Sequence, residues 1–416
     1  MMRYFLVFSF LFCYTLANAQ VHETMPPEYI RTISFNGETE FSGTPIVKLG
    51  APISIEFDDL IGDEADYFYT IEHYDFDWTP SDLSKNEYMD GFDDLRILNY
   101  QNSFNTLQIY SHYNLTIPNR NTKGLKKSGN YLLSVYNEND ELVFSRKFMI
   151  YEDIAIVRAQ IKRSRDLEFI DTKQVVNFTI DGSDRIVFRN PDKNLKTLII
   201  KNNDLQHSIY NLKPQYSLGN EFIYRYDQPA AFWGGNEYLS FDSKDVRSAT
   251  MNIRNIQLKN IYNTYLYTDG VRAFEPYTYN PDINGNFVVR TLQGQNPAIE
   301  AEYTWVHFAL QNYQELNGGK LHIYGNFNNF TLDESTELTY NKKTELYETK
   351  RLFKQGFYNY KYVLVKKDGT IDEGFISGNF DETENVYTIL VYYRDIGERY
   401  DRIIGVGSAS SRNISN

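Results

Sequence analysis

From Ile30 onward, apolar and polar residues alternate in short runs about ten residues apart. Examples are Ile53-Ser-Ile-Glu-Phe57, Tyr67 to Phe76, Tyr131-Leu-Leu-Ser-Val-Tyr136 and Leu142 to Ile150. Successive side chains of a strand face opposite ways, so a period of two predicts half-buried strands, and this spacing suits antiparallel sandwiches. The pattern predicts an all-β chain of tandem antiparallel β-sandwich domains, immunoglobulin-like or early-set-like. A second set of strands follows Glu152-Asp153: Ile154 to Ile161, Val175 to Ile180, Leu195 to Lys201 and Phe222 to Tyr226. A third opens near Glu300 with Tyr303 to Leu310, continues through Leu321 to Tyr324 and Tyr347 to Leu352, and ends on Tyr387-Thr-Ile-Leu-Val-Tyr-Tyr393. That last run is apolar on both faces and must be central or covered. Asn284-Gly285 predicts a two-residue hairpin turn. The expected division is a signal segment at 1–19, an N-terminal sandwich at 20–152, a middle β-rich domain at 153–299, a C-terminal early-set-like sandwich at 300–408 and a tail at 409–416.

Composition narrows the setting. Arg3, an apolar run from Tyr4 to Leu16 and Ala17-Asn-Ala19 before Gln20 have the order of a cleaved secretory signal, with cleavage expected between Ala19 and Gln20. The run is too short for a permanent membrane helix. The one cysteine, Cys13, lies inside it, so the mature chain is expected to hold no disulfide and no cysteine metal site. An exported chain of this length without disulfides depends on full-sized hydrophobic cores. With 42 basic and 55 acidic residues the net charge is −13, one unit more negative once Arg3 is removed, a balance that repels nucleic acid and anionic lipid. Aromatics form 16% of the chain and include 35 tyrosines, which serve either as sandwich filling or as broad contact surface.

The densest chemistry is Ile71-Glu-His-Tyr-Asp-Phe-Asp-Trp78. As an extended strand it would set His73, Asp75 and Asp77 on one face and Glu72, Tyr74, Phe76 and Trp78 on the other. Alternate positions lie about 6.6 Å apart, so a shared metal would need inward-bent side chains. A solvated strand face is the favoured expectation. The six histidines never fall two or four apart, and zinc-protease, nucleophile-elbow, phosphate-loop and dinucleotide signatures are missing from the sequence. Asp282, Asn284 and Asn286 imitate the start of a calcium loop, but Phe287 stands where glycine is required and Gln293 where the bidentate glutamate belongs. Asp58-Asp59 and Asp93-Asp94 are adjacent carboxylates that a strand would point apart. Gly325-Asn-Phe-Asn-Asn-Phe330 is similar to a turn of starch-binding sandwich modules, although a sugar platform would rest on exposed tryptophans, of which the chain has Trp78, Trp233 and Trp305.

Taken in order, Pro26-Pro27-Glu28-Tyr29-Ile30, Phe57-Asp58-Asp59-Leu60, Glu72-His73 through Trp78, Ser103-Phe104-Asn105-Thr106 and Ser128-Gly129-Asn130-Tyr131 resemble the amino-terminal domain of the type IX secretion system plug protein family. Gly234-Gly235-Asn236-Glu237 with Phe241-Asp242, Asp282 to Asn286, Gly356-Phe-Tyr-Asn-Tyr360, Gly378 to Asn385 and Tyr392-Tyr393-Arg394 extend the resemblance over most of the chain. The resemblance implies a non-enzymatic periplasmic protein of a Bacteroidota bacterium, peripheral to the outer membrane. It would dock as a monomer on the periplasmic opening of a large outer-membrane translocon β-barrel and seal the pore when no substrate is in transit. It supplies no catalytic, cofactor or metal residues and leaves the partner-contact residues unknown. The alternative is a periplasmic or surface glycan-binding β-sandwich module.

Overall fold

A computed structural model describes residues 21–37, 44–183 and 185–414. The expected cleavage residues Ala19 and Gln20, like Cys13 and the rest of the signal segment, lie outside the described residues. The described chain is all-β, a set of tandem and mostly antiparallel sandwiches.

The first sandwich is built within residues 30–151. One sheet runs Ile30–Asn36, Ile53–Asp59, Ser111–Ile117, Asn99–Asn102; the facing sheet runs Ile46–Lys48, Leu142–Tyr151, Gly129–Asn137, Tyr67–Tyr74, Leu95–Arg96. The alternation works as the sequence implies. Ile53, Ile55 and Phe57 point inward, and Phe57 stacks on Tyr113 at 5.0 Å while meeting Tyr67 and Phe144 edge-on. Each such aromatic pair adds about 0.5–1.5 kcal/mol beyond area burial.

The rest of the chain forms two sandwiches that are not consecutive. The second sandwich has one sheet of Ile156–Arg163, Lys173–Asp181, Glu221–Tyr224 and Tyr216–Leu218, with Ala231–Trp233 also on Lys173–Asp181. Its other sheet runs Asp204–Tyr210, Leu195–Lys201, Val386–Tyr393, Arg402–Ser410, so half of it comes from the chain's end. The third sandwich lies between these halves in sequence. Its sheets centre on Gly356–Val365, flanked by Leu239–Asp242, Phe287–Val289, Lys320–Tyr324 and Ile371–Asp372, and on Tyr303–Leu310, flanked by Tyr262–Leu266 and Leu346–Lys354.

The expected boundary at residue 300 is therefore corrected. Tyr262–Leu266 pairs in parallel with Tyr303–Leu310 across it, and Leu195–Lys201 from the expected middle domain pairs with Val386–Tyr393. The cause is energetic: each doubling of a connecting loop costs only about 0.6 kcal/mol, so the doubly apolar Val386–Tyr393 takes the central place wherever its partners lie in sequence. The expected tail at 409 is corrected too, because the final strand runs through Ser410 and Ser411 is buried, accepting from Asn385 N at 2.7 Å. Asn284 and Gly285 do both take positive φ, but the chain before them forms no strand, so the turn is not a hairpin. Only glycine fits at 285, where a Cβ would stand 2.8 Å from the Tyr238 ring.

Candidate functional site

The segment that carries most chemistry in the sequence lies where the first sandwich meets the second. The strand stops at Tyr74, and Trp78 turns the chain with φ 61°. His73 consequently faces the core beside Tyr67, Tyr69 and Ile71, the reverse of the wet face that strict alternation through Trp78 would assign. Its Nδ1 shares a hydrogen bond with Ser81 Oγ (2.8 Å), Nε2 contacts Ser128 O (3.1 Å), and Tyr88, Tyr131 and Tyr400 surround the ring. Gly129 makes room for it, since a Cβ there would stand 2.4 Å from Nε2. Burial pushes the imidazole pKa down to about 4.

Asp75 and Asp77 do not join His73. Asp75 meets Arg394 at 2.6 Å and accepts from Asp401 N at 2.9 Å. The buried Asp401 holds Arg394 (2.9 Å) and Lys196 (3.1 Å) and accepts from Phe76 N. Phe76 packs on Tyr392 with Leu198, Ile200, Leu390 and Ile403. Tyr392 donates to Asn130 Oδ1 at 2.7 Å, and Arg402 meets Glu152 at 2.7 Å. Asp77 accepts from Thr79. The segment is thus a seam: charge pairs and an apolar knob lock two sandwiches together.

Two further seams follow the same design. Between the first and third sandwiches, Asp58 receives Lys354 Nζ at 2.6 Å, Tyr303 OH at 2.6 Å and His112 Nδ1 at 2.7 Å, with Asp58 and Lys354 each 1% exposed. Between the second and third, Glu373, already paired with Lys361 of its own sandwich, meets His207 Nδ1 at 3.4 Å, while Asp204, which also meets His207 Nδ1 (2.9 Å), accepts from Tyr324 OH (2.7 Å). Asp204, His207 and Glu373 bring potential ligand atoms within 4.8 Å of one another. The Lys361 ammonium already sits on Glu373 and a phenol on Asp204, so the cluster is neutralised from within. Burial opposes charge on Glu373, yet Lys361, Lys201 and His207 hold its carboxyl far below the usual range. No local pattern marks these partners, which lie up to 296 residues apart.

The remaining sequence candidates are structural. Asp59 turns away from Asp58 to accept from Ile61 N and Tyr67 OH. Asp93 accepts from Ile71 N and pairs with Lys85, while Asp94 sits at φ 63°. Asp282 accepts from Tyr238 N and Asn284 N, and Asn286 from Asn326 Nδ2, so these oxygens brace a turn. Phe327 and Phe330 are buried. Trp78 is buried under Lys147, Trp305 is covered by Lys350, and the half-exposed Trp233 is flanked by Lys173 and Phe169. The tryptophans are thus dispersed and offer no shared sugar platform. Tyrosine is mainly interior: eleven of the twelve largest fully buried side chains are tyrosines.

Among the exposed apolar residues is a stapled loop. Ser103 N donates to Tyr110 O (2.8 Å), Phe104 N to Ile299 O (2.8 Å), and Leu107 N to both oxygens of Glu302 (3.0 and 3.1 Å). The backbone is held to the third sandwich, yet Phe104, Leu107 and Ile109 are 65, 49 and 59% exposed. Ile61 is also exposed, and its neighbour Gly62 lies against the Ile109 side chain. A fixed backbone presenting clustered apolar side chains marks a contact surface.

Comparison with known structures first gives the class. A hypothetical protein from Parabacteroides merdae ATCC 43184, known from a crystal structure, is 33% identical, with 94% of this chain and 100% of that chain covered and a TM-score of 0.89. The same multi-sandwich body thus exists in a bacterial relative. The collagen adhesin CNA of S. aureus aligns at 7% identity over 91% of this chain and 95% of that one, but its TM-score of 0.10 carries no likeness of fold. No curated protein matches the chain. The family model described as type 9 secretion system plug protein 1st domain matches residues 30–152. Through residues 30–152 the chain belongs to the type 9 secretion system plug protein family, of which that stretch is the first domain.

Proposed function

We propose that this protein is a non-enzymatic periplasmic plug that docks on the periplasmic opening of the type IX translocon β-barrel and seals it when no cargo is in transit. Family membership carries the reading. The physics agrees with it. A stopper must keep its shape against a moving chain and a wide pore, and here three sandwiches meet along seams of charge pairs, the first-to-second one backed by a packed apolar cluster. The described residues contain no helix long and apolar enough to cross a membrane.

Docking must also be reversible, which favours a contact of modest area with a few apolar anchors. Phe104, Leu107 and Ile109 have that character, and we assign them to the rim that meets the barrel. Replacing Phe104 and Leu107 together by aspartate is expected to weaken association by at least about tenfold, since each buried anchor is worth about 1–2 kcal/mol or more. The melting temperature should stay put, because both side chains are already in water. Affinity capture of the tagged protein from detergent-solubilised outer membranes checks both points. The account expects a very large barrel protein to co-purify with the wild type and to be depleted with the double variant. Capture without any barrel protein would defeat the docking claim.

A further inference from the structure

A cavity of about 340 Å³ lies between the open edge of the first sandwich and the third, and three arginines converge on it: Arg31, Arg146 and Arg351. Their surroundings are unusual for guanidinium groups. Arg146 points inward from the strand Leu142–Tyr151, is 6% exposed, and its hydrogen bond runs to Ser145 O at 2.8 Å. Arg31 Nε is buried with no hydrogen-bond partner among the described residues. Arg351, 8% exposed, donates to Ser335 Oγ and stands 4.0 Å from the half-exposed Asp333. Burial together with the neighbouring Arg31 charge presses its pKa down to about 10. Glu28, Asp333 and Glu334 line the cavity as well, while Glu23 nearby has its oxygens engaged by Lys147 N and Asn329 Nδ2.

Among the described residues no carboxylate approaches these guanidinium groups more closely than Asp333, at 4.0 Å from Arg351, and weakly paired buried cations that repel each other across a cavity are costly. The backbone is bent to produce this arrangement. A bulge between Arg31 and Ser34 interrupts the pairing of the edge strand, and Thr32 within it takes φ 51°, a strained value for a β-branched residue. Strain of that kind gathers where a side chain is being aimed. Phe35, Phe327 and Phe353 supply an apolar part of the wall; the rest is polar and includes Asn326, Asn328 and Lys354.

We infer that this cavity binds an organic anion: a carboxylate seated on the arginine forks, with an apolar body of about one aromatic residue against the phenylalanines. The guanidinium fork matches a carboxylate in two parallel hydrogen bonds, and the volume suits a ligand of this size. Two sources share that chemistry, a small free acid and the carboxyl terminus of a peptide. Because its walls come from two sandwiches, an occupant braces the seam already held by Asp58 and Lys354.

The test uses the full chain and three probes: N-acetylphenylalanine, the peptide Gly-Gly-Phe with a free carboxyl group, and the same peptide as its amide. Titration calorimetry is expected to give dissociation constants near about 1 mM or tighter for the acids and binding at least about tenfold weaker for the amide. R31Q and R351Q should each weaken acid binding about tenfold or more. Arg31, less buried than Arg351, keeps the test decisive if R351Q fails to fold. Tighter binding of the peptide acid than of N-acetylphenylalanine identifies a chain terminus as the source, and the reverse order a small acid. Equal binding of acid and amide, no saturable binding by the wild-type chain, or undiminished binding by R31Q would overturn the inference.

Discussion

Replacing Lys354 by alanine is expected to lower the unfolding free energy by about 3–5 kcal/mol, the range for stripping one partner from a buried ion pair. The ammonium stands 2.6 Å from Asp58 Oδ2 and 2.6 Å from Ala298 O, and Tyr110 places its ring against it at 4.2 Å. Burial alone would raise the Asp58 pKa, but Lys354 and His112 hold it below the ordinary value. Without Lys354 a carboxylate is left in the seam with one histidine and one phenol. Removing both charges, as in K354M with D58N, should recover most of the loss, because an uncompensated charge is worse than none. Denaturant unfolding of the single and double variants measures this. A K354A variant within about 1 kcal/mol of wild type would mean that the seam is not welded by this pair.

The second large effect is acid sensitivity through His73. The folded protein buries the ring neutral, and its pKa falls from the usual 6.5 to about 4, with burial outweighing the opposing pull of Ser128 O and Asp401. A depressed folded-state value means that the unfolded chain binds the proton first. The stabilisation is complete above pH 6.5 and drains away as pH falls from 6.5 through 4, by up to about 3 kcal/mol. His307 acts in the same direction, its pKa also pushed to about 4, first by burial and then by Lys350 and Lys259. His207 acts oppositely. Burial lowers its pKa, but Asp204 and Glu373 raise it more, so its contribution is present at low pH and is lost as pH rises through its elevated value. Comparing wild type with H73Q at pH 7 and pH 4.5 isolates the His73 part. The variant is expected to start less stable, having lost its bond to Ser81, and to show a pH slope smaller by about 2–3 kcal/mol over that interval. An unchanged slope would show that His73 is not buried neutral.

These two cases also show what could be seen in the sequence and what could not. Strand positions were legible because Ile53, Ile55 and Phe57 or Tyr67, Tyr69 and Ile71 alternate with polar residues, and a sheet with one buried face needs nothing more. The doubly apolar run at Val386–Tyr393 announced a central strand. Leu195–Lys201 was legible as a strand, but not as the neighbour of that run, because the sequence marks a face as apolar without marking what will cover it. His73 was placed on the wrong face for a related reason. Alternation was carried through to Trp78, whereas the strand ends at Tyr74 and the next four residues form a turn. The tyrosine excess leaves filling and contact surface equally open in the sequence; in the fold most of the largest buried side chains are tyrosines, whose hydroxyls reach groups such as Asp58, Asp204, Asn130 and Gln174 from other parts of the chain. Such partners are set by tertiary contact and leave no local trace. The resemblance to plug proteins was the exception, since it drew on phrases spread along the whole chain rather than on any one motif.

The seams and the stapled loop belong to one account, in which a rigid three-sandwich body covers a pore and lets go when cargo arrives. That account is tested most directly by outer-membrane permeability in cells lacking this protein but retaining an assembled translocon. Uptake of a polar compound too large for ordinary porins should rise sharply, and it should return to the wild-type level when the intact chain is restored but not when the Phe104 and Leu107 double aspartate variant is supplied. Permeability unchanged by the deletion would contradict the account.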